Sequence, residues 1–175
     1  ACQEHDSTMA AIIGLQAEII DKVCQETNGV VVPANYNSPG QVVISGDYKA
    51  VEEACKTLSE KGAKRALILP VAGAFHSPLM SSAEQELKET INEIEFKKPI
   101  CPIYQNVCAN PVLIENEIKQ NLIKQLTAPV KWQQTIEQMI TEGATEFLEV
   151  GPGNVLTGLN RRINRNVEST KATIQ

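Results

Sequence analysis

The sequence predicts a mixed α/β (α+β) protein, and two observations on the order of its segments support this. Over residues 8–71, apolar runs and amphipathic stretches follow in the order strand, helix, strand, strand, helix, strand. That is the βαββαβ order of ferredoxin-like units, in which two helices pack on one face of a four-stranded antiparallel sheet. After residue 76, helical and strand-like segments alternate, which favours a second layer with a parallel sheet.

The first four segments each carry a recognisable signal. Residues 8–14 form a short apolar run typical of a strand, and residues 15–27 carry apolar side chains at helical spacing. Residues 30–37 begin with three valines, as expected of a strand. A Ser-Pro-Gly turn then leads into residues 41–46, which predict the next strand.

The unit is completed by one helix and one strand. Asp47 is expected to be the N-cap of a helix over residues 48–60, which ends at a Lys-Gly pair. Residues 66–71 are apolar and predict the fourth strand.

The second part is expected to contain four helices and two strands. Helices are predicted over residues 77–94, 115–126, 128–142 and 154–165, and strands over residues 99–106 and 146–150. Two strands are few for a stable open sheet. We therefore expect part of this sheet to lie outside the 175 residues.

Composition excludes some classes of function. The chain has 42% hydrophobic and 21% charged residues, as ordinary globular proteins do, and its net charge is -5. An acidic balance disfavours nucleic-acid binding, which needs a basic surface. No signal peptide and no membrane-spanning apolar run is recognisable, so we expect a cytoplasmic protein with no membrane partner.

The cysteines indicate neither a metal site nor a redox pair. There are five, an odd number at irregular spacings, and no C-x-x-C motif occurs. This pattern favours free thiols in a reducing compartment, which agrees with a cytoplasmic location. We expect no metal and no cofactor.

One of the two histidines is a candidate base. His76 follows an apolar run and a small-residue turn, and Ser77 with Pro78 then opens a helix, whereas His5 lies in a polar stretch. Histidine is the side chain most easily tuned to move protons near neutral pH. From these residues alone, a structural histidine at a strand end is the favoured alternative.

No nucleophile for this base is recognisable. A hydrolase or acyltransferase serine on a strand-to-helix turn follows the pattern G-x-S-x-G, which the 175 residues lack. Ser45 lacks the flanking glycine pattern, and Ser77 directly follows the histidine. Cys101 and Cys108 lie in strand and loop contexts without a turn signature.

Four segments together resemble the malonyl-CoA:acyl carrier protein transacylase family. They are residues 35–46, 73–77, 125–132 and 149–159. The resemblance implies an α/β-hydrolase-like acyltransferase core with an inserted ferredoxin-like subdomain. Residues 1–7 would then belong to the core, residues 8–70 to the subdomain, and residues 71–175 to the C-terminal part of the core.

The resemblance also implies a reaction and two catalytic residues. In this family an elbow serine attacks malonyl-CoA, and the malonyl group then passes to the phosphopantetheine thiol of acyl carrier protein in fatty acid biosynthesis. The family's histidine base falls on His76. Its orienting partner would be a backbone carbonyl near Asn154 or a glutamine in residues 124–126, and we place it on Gln125.

Three further residues are expected to bind substrate. Asn35 and Asn37 match asparagines of the loop that borders the acyl pocket, although both could simply form the turn that follows them. Phe75 matches a position that is also Phe in malonyl-selective polyketide acyltransferases, so the resemblance favours malonyl over methylmalonyl. Core packing is the alternative for Phe75.

The chain departs from the family in what it lacks. The elbow serine, the arginine that pairs with the malonyl carboxylate and the glycine-rich turn of the oxyanion hole would all precede residue 1. We therefore expect the missing N-terminal part to be a partner and this chain alone to be inactive. Two alternatives remain: a binding module for carrier protein or another partner without catalysis, and the acyltransferase domain of a polyketide synthase.

Overall fold

The computed structural model describes residues 1–2 and 4–172. Its first part is a four-stranded sheet with two helices. The elements are β1 (Ser7–Ile13), α1 (Ala17–Glu26), β2 (Val31–Ser38), β3 (Gln41–Asp47), α2 (Tyr48–Glu60) and β4 (Arg65–Ile68). The strand order is β2-β3-β1-β4, and every neighbouring pair is antiparallel. The predicted ferredoxin-like unit is confirmed.

The main core lies between this sheet and its two helices. Ile12 and Ile44 from the sheet and Ile20, Val51 and Leu58 from the helices are almost completely buried and belong to one cluster. Alternation along the strands and the 3.6-residue period of the helices bring these residues onto facing surfaces. Each such side chain contributes about 1.5–3 kcal/mol through burial.

Asp47 lies at the N-cap position of α2, as expected, but its side chain does not cap the helix. One carboxylate oxygen accepts the backbone N–H of Val30 at 2.9 Å instead. The N–H of Asp47 donates in turn to the Val30 carbonyl at 2.8 Å. The residue therefore fastens the start of β2 to the end of β3.

The second part begins with a 3₁₀ turn (Pro78–Met80) and contains short elements. They are α3 (Ser81–Asn92), β5 (Ile103–Tyr104), β6 (Pro111–Val112), α4 (Glu115–Lys124), α5 (Trp132–Thr141), β7 (Glu146–Glu149), α6 (Val155–Ile163) and β8 (Glu168–Lys171). The four predicted helices are present with altered ends. The mixed α/β class is confirmed.

The predicted strands of the second part are partly wrong. β7 does belong to a parallel pair, but its partner is β8, whose Glu-Ser-Thr-Lys sequence carries no apolar signal. The predicted strand over residues 99–106 shrinks to β5, which pairs with β6 in a separate antiparallel ribbon. Pro99 and Pro102 have no N–H to donate to a sheet, which explains the short strand.

Several large apolar side chains of the second part are open to solvent. Leu148 is 57% exposed, Val150 71% and Val155 68%, and all three lie at or just beyond β7. Exposed apolar side chains of this size are candidates for a contact surface.

Within residues 1–2 and 4–172, the structure contains no helix with the length and hydrophobicity that crossing a membrane requires. The same residues hold no cluster of three or more histidine, cysteine or acidic side chains placed to bind a metal ion.

Candidate functional site

The candidate site is centred on the turn that joins β4 to the 3₁₀ helix. Gly73 is buried against the N-terminal segment, where an added Cβ would lie 2.7 Å from Sγ of Cys2. The close approach requires glycine. Three residues later, His76 adopts the left-handed conformation with φ 58°. A non-glycine residue in this region is uncommon, and such residues are often found at functional sites.

The His76 ring is held by the backbone at the end of α4. Its Nδ1 lies 2.8 Å from the main-chain carbonyl oxygen of Gln125. A carbonyl oxygen can only accept a hydrogen bond, so Nδ1 carries the ring proton. In the neutral ring, Nε2 then keeps its lone pair and is free to accept a proton. This arrangement suits a general base.

Gln125 contributes two different groups to the site. It follows the last residue of α4, where a helix leaves its carbonyls without partners inside the helix. Its carbonyl accepts from His76, while its side-chain amide donates to the carbonyls of Ala128 at 3.0 Å and Pro129 at 3.4 Å. The contact with the histidine is thus made by the backbone of Gln125 and not by its side chain.

The loop after Gln125 ties the site to the ferredoxin-like subdomain. The N–H of Val130 donates to Ala34 at 2.8 Å, and the Val130 carbonyl accepts from Tyr36 at 2.9 Å. These bonds form a parallel bridge between Asn35 and Val130 at the outer edge of β2. The edge strand of the subdomain is therefore joined by a short loop to the residue that holds the histidine.

A further segment closes the other side of this loop. The N–H of Lys131 donates to the Asn106 carbonyl at 2.9 Å. The segment around Asn106 is held in turn by buried Asn121, which donates to the side-chain oxygen of Gln105 at 3.1 Å. Main-chain contacts between distant segments leave no signature in residue types, so the sequence does not predict these supports.

The three predicted substrate-binding residues lie in different settings. Asn35 is half-buried at the bridge to Val130, and Asn37 is half-buried where the pairing of β2 with β3 shifts register. Phe75 directly precedes His76 and is 37% exposed, so it lies outside the buried core. The roles of all three residues in substrate binding remain predictions.

Hydrogen bonds across the turn over residues 149–157 join Glu149 to the start of α6. The Glu149 carboxylate accepts the backbone N–H groups of Thr157 at 2.8 Å and Leu156 at 3.2 Å, at the start of α6. The backbone N–H of Thr157 is the main cause of a pKa of Glu149 that is lowered from its usual value. A carboxylate at a helix N-terminus is stabilised both by these bonds and by the helix dipole.

Fold and site together define an α+β protein in which a ferredoxin-like unit is tied by a short loop to a histidine whose Nδ1 is held by a backbone carbonyl. Residues 5–174 match the family described as "Acyl transferase domain". The chain belongs to this acyl transferase domain family.

Relatives within the family are similar over most of this chain. A malonyl CoA-acyl carrier protein transacylase of Bacillus subtilis is 44% identical over 168 residues, which are 94% of this chain and 53% of the relative. That of Staphylococcus aureus is 39% identical over 93% of this chain and 54% of its own length.

Solved structures show the same fold. An acyl carrier protein S-malonyltransferase of Vibrio cholerae superposes with a TM-score of 0.94 at 44% identity, over 97% of this chain and 56% of that one. A malonyl-transacylase in complex with a type II polyketide synthase acyl-carrier protein gives a TM-score of 0.93 at 39% identity, over 99% and 58%. This chain spans about half the length of the proteins it matches.

Proposed function

We propose that this chain supplies the general base for malonyl transfer from coenzyme A to the phosphopantetheine thiol of acyl carrier protein, in fatty acid biosynthesis. The observation that carries the proposal is the 2.8 Å contact between Nδ1 of His76 and the Gln125 carbonyl oxygen. It fixes the ring so that Nε2 is the basic nitrogen. His76 alone does not define the substrate. The assignment of malonyl-CoA as the substrate is supported by the similarity to malonyl transacylases.

In the first half-reaction, Nε2 of His76 takes the proton of a serine hydroxyl as the serine oxygen attacks the malonyl thioester carbon. The carbon–sulfur bond breaks, and the proton passes from the imidazolium to the departing coenzyme A sulfur. In the second half-reaction, the same nitrogen deprotonates the phosphopantetheine thiol, which attacks the malonyl-serine ester. The proton then returns to the serine oxygen, and no external oxidant, reductant or cofactor is required.

The serine is proposed to come from polypeptide that corresponds to the rest of the relatives' length. The 175 residues contain no G-x-S-x-G motif, and this chain matches about half of each relative. The exposed Leu148, Val150 and Val155 support the idea, because burying these side chains against further polypeptide is favourable. By this proposal the isolated chain is inactive.

Acyl carrier protein is the proposed protein partner, and malonyl-CoA is the proposed small-molecule substrate. The relative solved in complex with an acyl-carrier protein supports the first assignment. That complex contains a type II polyketide synthase carrier protein, so a polyketide carrier is the second candidate acceptor. Asn35, Asn37 and Phe75 are proposed to line the acyl site. A cytoplasmic location stays a prediction.

The test is to complete the enzyme. The part of the Bacillus subtilis relative that precedes the matched 168 residues is joined ahead of this chain to give the completed enzyme. We expect it to transfer radiolabelled malonyl from coenzyme A to carrier protein, and the 175-residue chain alone to form no acyl adduct by mass spectrometry.

Two results would contradict the proposal. An acyl adduct on the isolated chain would show that it has a nucleophile of its own. A folded completed enzyme that binds carrier protein without transferring malonyl would favour a binding module.

A further inference from the structure

The residue after the histidine is completely buried and uses its hydroxyl twice. Ser77 has 0% exposure. Its Oγ donates to the Ala74 carbonyl at 2.7 Å and accepts the backbone N–H of Leu79 at 3.3 Å. One hydroxyl thus joins the residue three positions before it to the residue two positions after it, and His76 lies between these two anchor points.

The backbone at His76 needs such support. Its φ of 58° lies in the left-handed region, which is unfavourable for a side chain with a Cβ unless the surroundings enforce it. The Ala74 carbonyl fixes the turn before the histidine, and the Leu79 N–H fixes the start of the 3₁₀ helix after it. Without both bonds, the backbone can relax towards an ordinary conformation and carry the ring away from Gln125.

We propose that Ser77 is a positioning residue for His76: its buried hydroxyl holds the left-handed turn that directs Nδ1 onto the Gln125 carbonyl. The functional meaning of this inference rests on the proposed role of His76 as a base. The positioning itself concerns only the geometry of the ring and can be measured without any acyl transfer.

The chain allows a direct spectroscopic test, because it has only two histidines and His5 is exposed. With ¹⁵N-labelled histidine, the ring-nitrogen signals of the 175-residue chain report which nitrogen of each ring carries the proton. At a pH where the rings are neutral, we expect a single Nδ1–H tautomer for His76. In Ser77→Ala this signal should be replaced by one that averages the two tautomers, while the His5 signals stay unchanged.

The matched control is Ser59→Ala. The Ser59 hydroxyl also donates to a backbone carbonyl at 2.7 Å, that of Cys55, but it lies on α2 of the subdomain. We expect it to leave the His76 signal as in the unmodified chain. If Ser77→Ala fails to fold by circular dichroism, Ser77→Cys is measured instead, because a thiol is a weaker donor and acceptor in the same place and should shift the signal partway.

Two outcomes would overturn the inference. One is a folded Ser77→Ala protein with an unchanged Nδ1–H signal for His76, and the other is an unchanged signal in Ser77→Cys where the alanine variant does not fold. In the completed enzyme, we expect Ser77→Ala to lower kcat by about 10- to 100-fold with little change in KM, since a displaced base slows chemistry more than binding. An altered ring signal with normal kcat would instead remove His76 from the mechanism and leave the positioning intact.

Discussion

The main-chain carbonyl oxygen of Gln125 lies 2.8 Å from Nδ1 of His76, although the two residues are 49 positions apart in the chain. The contact joins the end of α4 to the turn after β4. Because the acceptor is a backbone oxygen, it assigns the ring proton whatever side chain occupies position 125. Catalysis would therefore depend on the path of the backbone at Gln125, and the side-chain amide would act only by bracing the loop that follows.

If His76 is the base, replacing it should greatly slow the reaction, whereas replacing His5 should not. In the completed enzyme, His76→Ala should slow formation of the malonyl-serine intermediate by ~10²–10⁴-fold, as is usual when a general base is removed. His5→Ala is the control and should leave the rate unchanged, because the His5 side chain is exposed. Rapid-quench measurement of the acyl-enzyme checks both, and a near-normal rate for His76→Ala would exclude it as the base.

Substitution of glycine by alanine should have opposite effects on the free energy of unfolding at Gly46 and at Gly158. At Gly46 an added Cβ would lie 1.9 Å from the carbonyl oxygen of Val30, so Gly46→Ala must push two strands apart. We expect a loss of unfolding free energy of at least about 1–3 kcal/mol. At Gly158, inside α6, a Cβ meets nothing within 4 Å, so Gly158→Ala should stabilise by about 0.5–1 kcal/mol. Urea unfolding measures both, and equal effects would contradict the close packing at Gly46.

The cysteines should differ sharply in reactivity. Burial, and then the nearby Asp21 carboxylate, raises the pKa of the Cys24 thiol to about 12. Burial raises that of Cys55 to about 11. Because the thiolate is the reactive form, both should react roughly tenfold or more slowly with iodoacetamide at pH 8 than exposed Cys101. Peptide mass spectrometry over time follows each site, and fast labelling of Cys24 in the folded chain would argue against its burial.

The ionised Glu149 carboxylate should contribute to folding stability in a way that depends on pH. Its pKa is lowered in the folded state, chiefly by the backbone N–H of Thr157, relative to about 4.3 in the unfolded chain. A lowered pKa means that the contribution is fully present above about pH 5 and is lost as the pH falls through the folded value. The urea midpoint of Glu149→Gln should therefore lie below that of the unmodified chain at pH 7, and the gap should narrow towards pH 3.

The control for this pH dependence is Glu89→Gln on α3, whose side chain is exposed. It should change the midpoint little at either pH. A gap for Glu149→Gln that stayed the same from pH 7 to pH 3 would rule out ionisation of the carboxylate as its source.

Local sequence patterns predict much of the fold. The apolar runs of β1 and β3 and the apolar stripes of α1 and α2 are strong enough to predict the βαββαβ order from sequence. The signal weakens in the second part. β8 is polar, and its strand conformation depends on pairing with β7, so its own residues do not predict it.

The sequence by itself determined the ferredoxin-like unit. It also singled out His76 as the candidate base, by its place between an apolar run and a helix start together with the family resemblance of the segments around it. Only the tertiary structure decided what holds that base. The carbonyl of Gln125, the bridge between Asn35 and Val130, and the two bonds of the Ser77 hydroxyl all involve backbone groups. Every residue but proline carries the same backbone donor and acceptor, so only the folded path of the chain selects which of them meet.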